Sequence, residues 1–236
     1  MCGVFGVYPH KDSARITYLG LFALQHRGEE SCGILTKNTK KVHLYKSLGL
    51  VNEVFNEKII KSLSGELSLG HVRYSTTGSP NLKNIQPFYA KTKIGHIAIA
   101  HNGNLTNTLQ LKKKLENEGA IFQTTMDSEL FVHLFAHSKK NDVKELVVST
   151  LSEVEGAYSL VIMVNELLIG AKDPYGFRPL CLGKLGNAYI LSSESCALDL
   201  IGADYIREVE PGEIIFISKD KVESIKPFKP HRYAYC

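Results

Sequence analysis

Met1-Cys2-Gly3-Val4-Phe5-Gly6-Val7-Tyr8 opens the chain with a thiol one position behind the initiator, followed by an apolar run that reads as a buried β-strand. A small residue after Met1 permits removal of the initiator, which would leave Cys2 carrying a free α-amino group. Thiol and amine then share one residue, and an α-amino pKa of about 7.7–8.0 suits a general base at neutral pH. No separate catalytic histidine is needed. Position alone also fits an ordinary buried thiol beside a chain end, so the rest of the sequence has to decide.

Outward from that run, apolar stretches predict further strands at 32–36, 42–46, 67–74, 95–101, 158–164, 167–172, 188–192 and 213–218. Helical spacing of Leu, Phe, Ile and Val predicts helices at 13–26, 105–118, 128–137 and 143–153. Strands at both ends of the sequence and helices gathered in two blocks fit stacked sheets covered by helices, not a regular βαβ alternation. No repeat or low-complexity linker divides the sequence. Turn-rich pieces at 77–84, 173–179 and 211–212 are too short for a boundary, so one domain over 1–236 is expected.

Composition narrows the function. The 236 residues carry 28 Lys+Arg against 24 Asp+Glu, and 44% are hydrophobic, which excludes disorder. The net charge of +4 is thinly spread, with no basic stripe to track a phosphate backbone, so nucleic acid is not an expected partner. The most apolar stretch, 158–171, is broken by Asn165 and Glu166 and falls short of the roughly 20 residues that span a bilayer. No membrane association and a cytoplasmic location are expected. The five cysteines show no CxxC and the histidines no HxH spacing, so neither a disulfide framework nor a metal site is expected.

Four clusters are richer in polar residues and glycine than a plain core would be: Gln25-His26-Arg27-Gly28, His71-Val72-Arg73-Tyr74-Ser75-Thr76-Thr77-Gly78, His101-Asn102-Gly103-Asn104, and Thr124-Thr125-Met126-Asp127-Ser128. Read alone, each has a structural explanation. Asn102-Gly103 is a turn dipeptide between strand and helix. Asp127 is placed to cap the helix that starts at Ser128. Arg73 closes a strand, and Arg27-Gly28 terminates a helix. His71 and His101 are core or orienting residues.

In this order, and together with Cys2, the clusters resemble the N-terminal-nucleophile glutamine amidotransferases. The later segments Lys172-Asp173-Pro174-Tyr175-Gly176-Phe177-Arg178-Pro179 and Ser192-Ser193-Glu194-Ser195 look like the amidophosphoribosyltransferase subfamily rather than the glucosamine-phosphate synthases. The resemblance implies an α+β fold, a four-layer αββα sandwich whose first strand delivers Cys2 into a cleft. It implies glutamine hydrolysis through a Cys2 thioester, with Asn102 and the Gly103 N–H as oxyanion donors. Arg73 would take the substrate carboxylate and Asp127 its ammonium, while Tyr74 and Thr76 would lie on a loop that closes over glutamine. Arg27 and Gly28 match an element beside the nucleophile and are expected to contact substrate. Glu29 departs from the family's Gln, and a carboxylate there would disturb the thiol or the amine.

No cofactor is implied for this chain. The subfamily's phosphoribosyltransferase half has no counterpart in the sequence, so the expected partners are L-glutamine and a phosphoribosyltransferase or other synthase, with self-association left open. Cys236 sits where some relatives place an iron–sulfur ligand, but no other three ligands are evident and a free thiol is expected. A non-catalytic glutamine-binding subunit and a hydrolase of another amide stay open beside the glutaminase reading.

Overall fold

The computed structural model describes residues 1–74 and 81–229. In chain order the elements are β1 (Gly3–Tyr8), α1 (Ser13–Ala23), β2 (Ser31–Lys37), β3 (Val42–Leu48), α2 (Val51–Val54), α3 (Glu57–Ser62), β4 (Leu67–Arg73), β5 (Phe88–Thr92), β6 (Gly95–Leu105) and α4 (Thr108–Asn117). They continue as α5 (Ser128–His137), α6 (Val143–Leu151), β7 (Gly156–Val164), β8 (Leu167–Lys172), β9 (Cys181–Leu185), β10 (Ala188–Ser192), α7 (Cys196–Ile201), β11 (Asp204–Glu208), β12 (Ile214–Ile217) and β13 (Val222–Ile225).

Two antiparallel sheets stack face to face, one in the order β11-β9-β10-β1-β4-β2-β3 and the other β13-β12-β8-β7-β6-β5. The side-chain period of two explains why each sheet has two apolar faces. In β1, Phe5 and Val7 pack under α1 with Leu21 and Ile34, while Val4 and Tyr8 face the second sheet, where they meet Ala100 and Val161. A third cluster, built on Phe131, Phe135, Leu146 and Ile162, joins α4, α5 and α6 to the outer face of the second sheet. Three cores between four layers make an αββα sandwich, and each fully buried Leu, Ile or Val in them contributes about 1.5–3 kcal/mol.

Small residues set the layer spacing along β1. A Cβ on Gly6 would lie 2.6 Å from Val161 Cγ1, and one on Gly20 of α1 2.4 Å from the Phe5 ring. A polar pin joins the sheets as well: His71 Nε2 on β4 donates to the His101 carbonyl on β6 at 3.0 Å. Burial pushes the His71 pKa down to about 3, so the ring is neutral.

Several expected elements differ. The helix predicted over 13–26 ends at Ala23, and a 3-10 turn over Gln25–Arg27 follows. The most consequential difference lies at Asn102-Gly103, which is no turn. β6 runs on through both to Leu105, pairing Asn102 with Ser159 and Gly103 with Tyr158. A Cβ on Gly103 would stand 2.0 Å from the Ala157 carbonyl oxygen, so close strand approach explains the glycine. Helix α4 accordingly starts at Thr108. Strands β5, β9, β11 and β13 and the short helices α2, α3 and α7 were not expected from periodicity.

The depressed His71 pKa fixes a sign. The folded ring refuses a proton that the unfolded ring accepts from pH 6.5 downward, so its contribution is intact above 6.5 and is lost as pH falls toward 3. Relative to His71→Gln, the wild-type chain should lose about 1.4 kcal/mol of stability per pH unit between pH 6 and 4. Urea unfolding at a series of pH values measures it, and parallel slopes for the two proteins would contradict it.

Candidate active site

Cys2 stands immediately before β1, at the end of the sandwich where β4 ends and β6 carries Asn102 and Gly103. β1 is held on both edges there, by Gly3 against Val72 of β4 and by the Ser193 N–H donating to the Val4 carbonyl at 3.0 Å. The Ser193 hydroxyl accepts from the Val4 N–H at 2.9 Å. A cavity of about 420 Å³ opens at this point, lined among others by Cys2, Arg73, Tyr74, Gly103, Met126 and Asp127. A cavity of similar size lies at the other end of β1, bordered by Tyr8, Lys37 and Glu166, with no cysteine in its lining.

Burial pushes the Cys2 thiol pKa up, offset in part by a backbone hydrogen bond at Tyr74, by the α-amine and by Arg73; the Asp127 charge adds to the rise. The amine belongs to Met1. Burial lowers its pKa, the Cys2 thiolate raises it, and Arg27 and Arg178 lower it. Arg178 Nη1 reaches the Met1 sulfur at 3.1 Å.

Arg73 is buried, paired through Nη1 with Glu30, and its Nη2 lies 3.5 Å from Met126 Sδ. Asp127 does not cap α5. It reaches across to β6, where Oδ2 accepts from the Leu105 N–H at 2.9 Å, and Oδ1 lies 3.3 Å from the Ser128 hydroxyl and 3.6 Å from His101 Nδ1. Burial raises the Asp127 pKa, but His101, the Leu105 amide and Ser128 together hold it below the ordinary carboxylate value. Ser128 in turn bonds His101 Nδ1 at 2.9 Å and accepts from Gln86 Nε2 at 3.2 Å. The cavity therefore presents a buried cation and a stabilised carboxylate around one thiol.

Arg27 and Gly28 are not among the residues lining this cavity. The Arg27 guanidinium is buried and engaged: Nε donates to the Cys2 carbonyl at 2.9 Å, Nη1 pairs with Glu194, and Nη2 donates to the Asn102 side-chain oxygen at 3.3 Å. Because a guanidinium only donates and a carbonyl only accepts, the Asn102 amide faces Arg27 with its oxygen and the Cys2 carbonyl, 3.2 Å away, with its nitrogen. Gly28 is extended at φ −169° and lies under Arg73, whose carbonyl carbon would be 2.4 Å from a Cβ. Glu29, expected to perturb the nucleophile, is exposed; the carboxylate acting on the thiol is Asp127, and the one beside Arg73 is Glu30. Tyr74 is more than half exposed. Thr76 and Cys236 lie outside the described residues.

Glu30, Gln86, Ser128 and Glu194 were not anticipated at the site. Only Ser128 and Glu194 stood inside quoted motifs; Glu30 and Gln86 act through partners far away in sequence, which local patterns do not reveal.

Residues 71–200 match the family described as a glutamine amidotransferase domain, and the chain belongs to that family. An amidophosphoribosyltransferase from Methanocaldococcus jannaschii is 46% identical over 230 residues, which cover 96% of this chain and 49% of the relative. The solved structure of glutamine phosphoribosylpyrophosphate amidotransferase from Bacillus subtilis, complexed with ADP and GMP, is similar with a TM-score of 0.91 at 43% identity, covering 95% of this chain and 49% of that one. A glutamine aminotransferase class-II domain protein from Silicibacter pomeroyi, 12% identical with a TM-score of 0.61 over 95% of this chain and 99% of that one, shares the fold. The chain spans about half the length of the curated relatives it matches.

While Met1 remains, the half-buried thiol, its pKa raised, should be a poor nucleophile. Iodoacetamide should alkylate Cys2 of the Met1-bearing chain more slowly than free cysteine at pH 7.5, and the rate should still be climbing above pH 9. Peptide mass spectrometry reads the modification at Cys2. A rate equal to that of free cysteine at pH 7.5 would count against the environment described.

Proposed function

We propose that this chain is the glutamine-hydrolysing half of an amidophosphoribosyltransferase, active once Met1 is removed. The observation that carries the reading is the meeting of Cys2, Arg73 and Asp127 in one cavity, where opposite charges flank a thiol. Arg73 takes the α-carboxylate of glutamine and Asp127 its ammonium. The released Cys2 amine accepts the thiol proton, and Sγ attacks the side-chain amide carbon. The amine then protonates the departing ammonia. Water cleaves the thioester to glutamate and regenerates the thiol.

In both halves an oxyanion forms, and Asn102 and the Gly103 N–H supply its donors. Arg27 and Gly28 act by position: one grips the Cys2 carbonyl, the other lets Arg73 come close. Tyr74 borders substrate. Ammonia passes to a phosphoribosyltransferase partner that makes 5-phosphoribosylamine for purine synthesis, in the cytoplasm.

Removal of Met1 is expected to be required. A chain retaining it should not hydrolyse glutamine, whereas the processed chain should take a single adduct on Cys2 from an electrophilic glutamine analogue. Equal turnover by both forms refutes the amine as base, and a processed chain that binds glutamine without adduct or turnover is a binding subunit. Asn102→Ala should lower kcat about 10²–10³-fold, and Arg73→Ala or Asp127→Ala should mainly raise KM. With phosphoribosyl diphosphate and glutamine, the chain alone should release glutamate and make no phosphoribosylamine beyond an ammonia-only control.

A further inference from the structure

We infer that Glu194 is a positioning residue for glutamine hydrolysis, fixing through Arg27 both the Cys2 backbone and the orientation of the Asn102 amide. The inference rests on the glutaminase reading above. It starts from the Ser192-Ser193-Glu194-Ser195 segment, to which the mechanism assigns no step.

The segment follows β10, the neighbour of the nucleophile's strand, and Ser193 is bonded to Val4 through both its backbone and its hydroxyl. Glu194 is therefore delivered to the site by the same pairing that holds β1. Its Oε1 accepts from Arg27 Nη1 and its Oε2 from His26 Nε2 at 2.9 Å. Burial pushes the Glu194 carboxyl up, but the bonds and charges of Arg27 and His26 hold it below the ordinary value, so it is an anion at neutral pH.

Arg27 needs that anion. Its side chain is only 4% exposed, and a buried guanidinium without a counter-charge does not stay buried. Guanidinium groups only donate, so Arg27 Nη2 can hold Asn102 by its oxygen alone. That choice turns the Asn102 NH₂ toward Cys2. One N–H goes to the Cys2 carbonyl, which leaves the second for the oxyanion of the reading above. Glu194 thus sets, two bonds removed, which end of an amide faces the reaction. Neither Glu194 nor Arg27 lines the cavity with Arg73 and Asp127, so the effect belongs in kcat rather than in glutamine binding.

Glu194→Ala in the processed chain should lower kcat for glutamine hydrolysis about 10²-fold, the scale of a misplaced reacting group, with KM within about twofold. Glu194→Gln keeps an oxygen that accepts from Arg27 and should recover about tenfold of the loss. Amide exchange at Gly3 and Val4 should quicken in Glu194→Ala and stay near wild type in Glu194→Gln. A folded Glu194→Ala chain with kcat within about threefold of wild type, or with its loss carried by KM, overturns the proposal; so does unchanged exchange. If Glu194→Ala does not fold, Glu194→Asp, one methylene short of Arg27, replaces it with the same expected loss of kcat. A wild-type chain that hydrolyses no glutamine overturns the glutaminase reading instead, and the exchange rates still decide the tether.

Discussion

Cys2 stands one residue ahead of β1, so its position depends on what grips that strand from the side. Chain ends fray unless tied down. Here β1 lies inside its sheet, paired with β10 and β4 along nearly its full length. The last grip is polar: Ser193 at Val4, then Arg27 and Asn102 on the Cys2 carbonyl. The layers above and below lock the same strand, with Phe5 under α1 and Val4 against the second sheet. Sheet pairing fixes the strand, packing fixes its height, and the guanidinium fixes its end.

The second constraint is electrostatic. The cavity keeps Arg73 and Asp127 charged although both are largely buried, and each is supported from behind. Glu30 stands beside Arg73, and the Leu105 amide, Ser128 and His101 face Asp127. Buried charges persist only with such partners. The side chains that would touch an amino acid are thus outnumbered by those that make it possible for them to be there.

This division explains what the sequence made legible. Helix α5 was read with its observed limits because Leu130, Phe131, Leu134 and Phe135 repeat at helical spacing against a sheet. Central strands β7 and β8 were read from dense apolar runs buried on both faces. Edge strands such as β11 and β13 carry too little buried surface to leave a period. Asn102-Gly103 misled because an NG pair is a turn signal locally, whereas a tertiary contact, the Ala157 carbonyl, dictates the glycine. Cys2, Arg73, Gly103 and Asp127 could be brought to one place from motif order; Glu30 and Gln86 could not, since nothing local marks the partner of a buried charge.

The antiparallel stack that shelters β1 also leaves sheet margins at β11, β3, β13 and β5, where unpaired backbone groups invite another chain. Each sheet meets that hazard differently. β11 bears exposed Tyr205 and Ile206 but breaks register between Tyr205 and Arg207, and it carries Asp204, Arg207 and Glu208. A bulge with alternating charges is poor ground for a docking strand. On β13, Glu223 is engaged by Lys144 and Lys221, which crowd the margin with ammonium groups. The interior strand is guarded by pairing and these two outer ones by irregularity and charge, so resistance to edge-to-edge pairing is written into the rim of the sandwich as distinctly as chemistry is written into its centre.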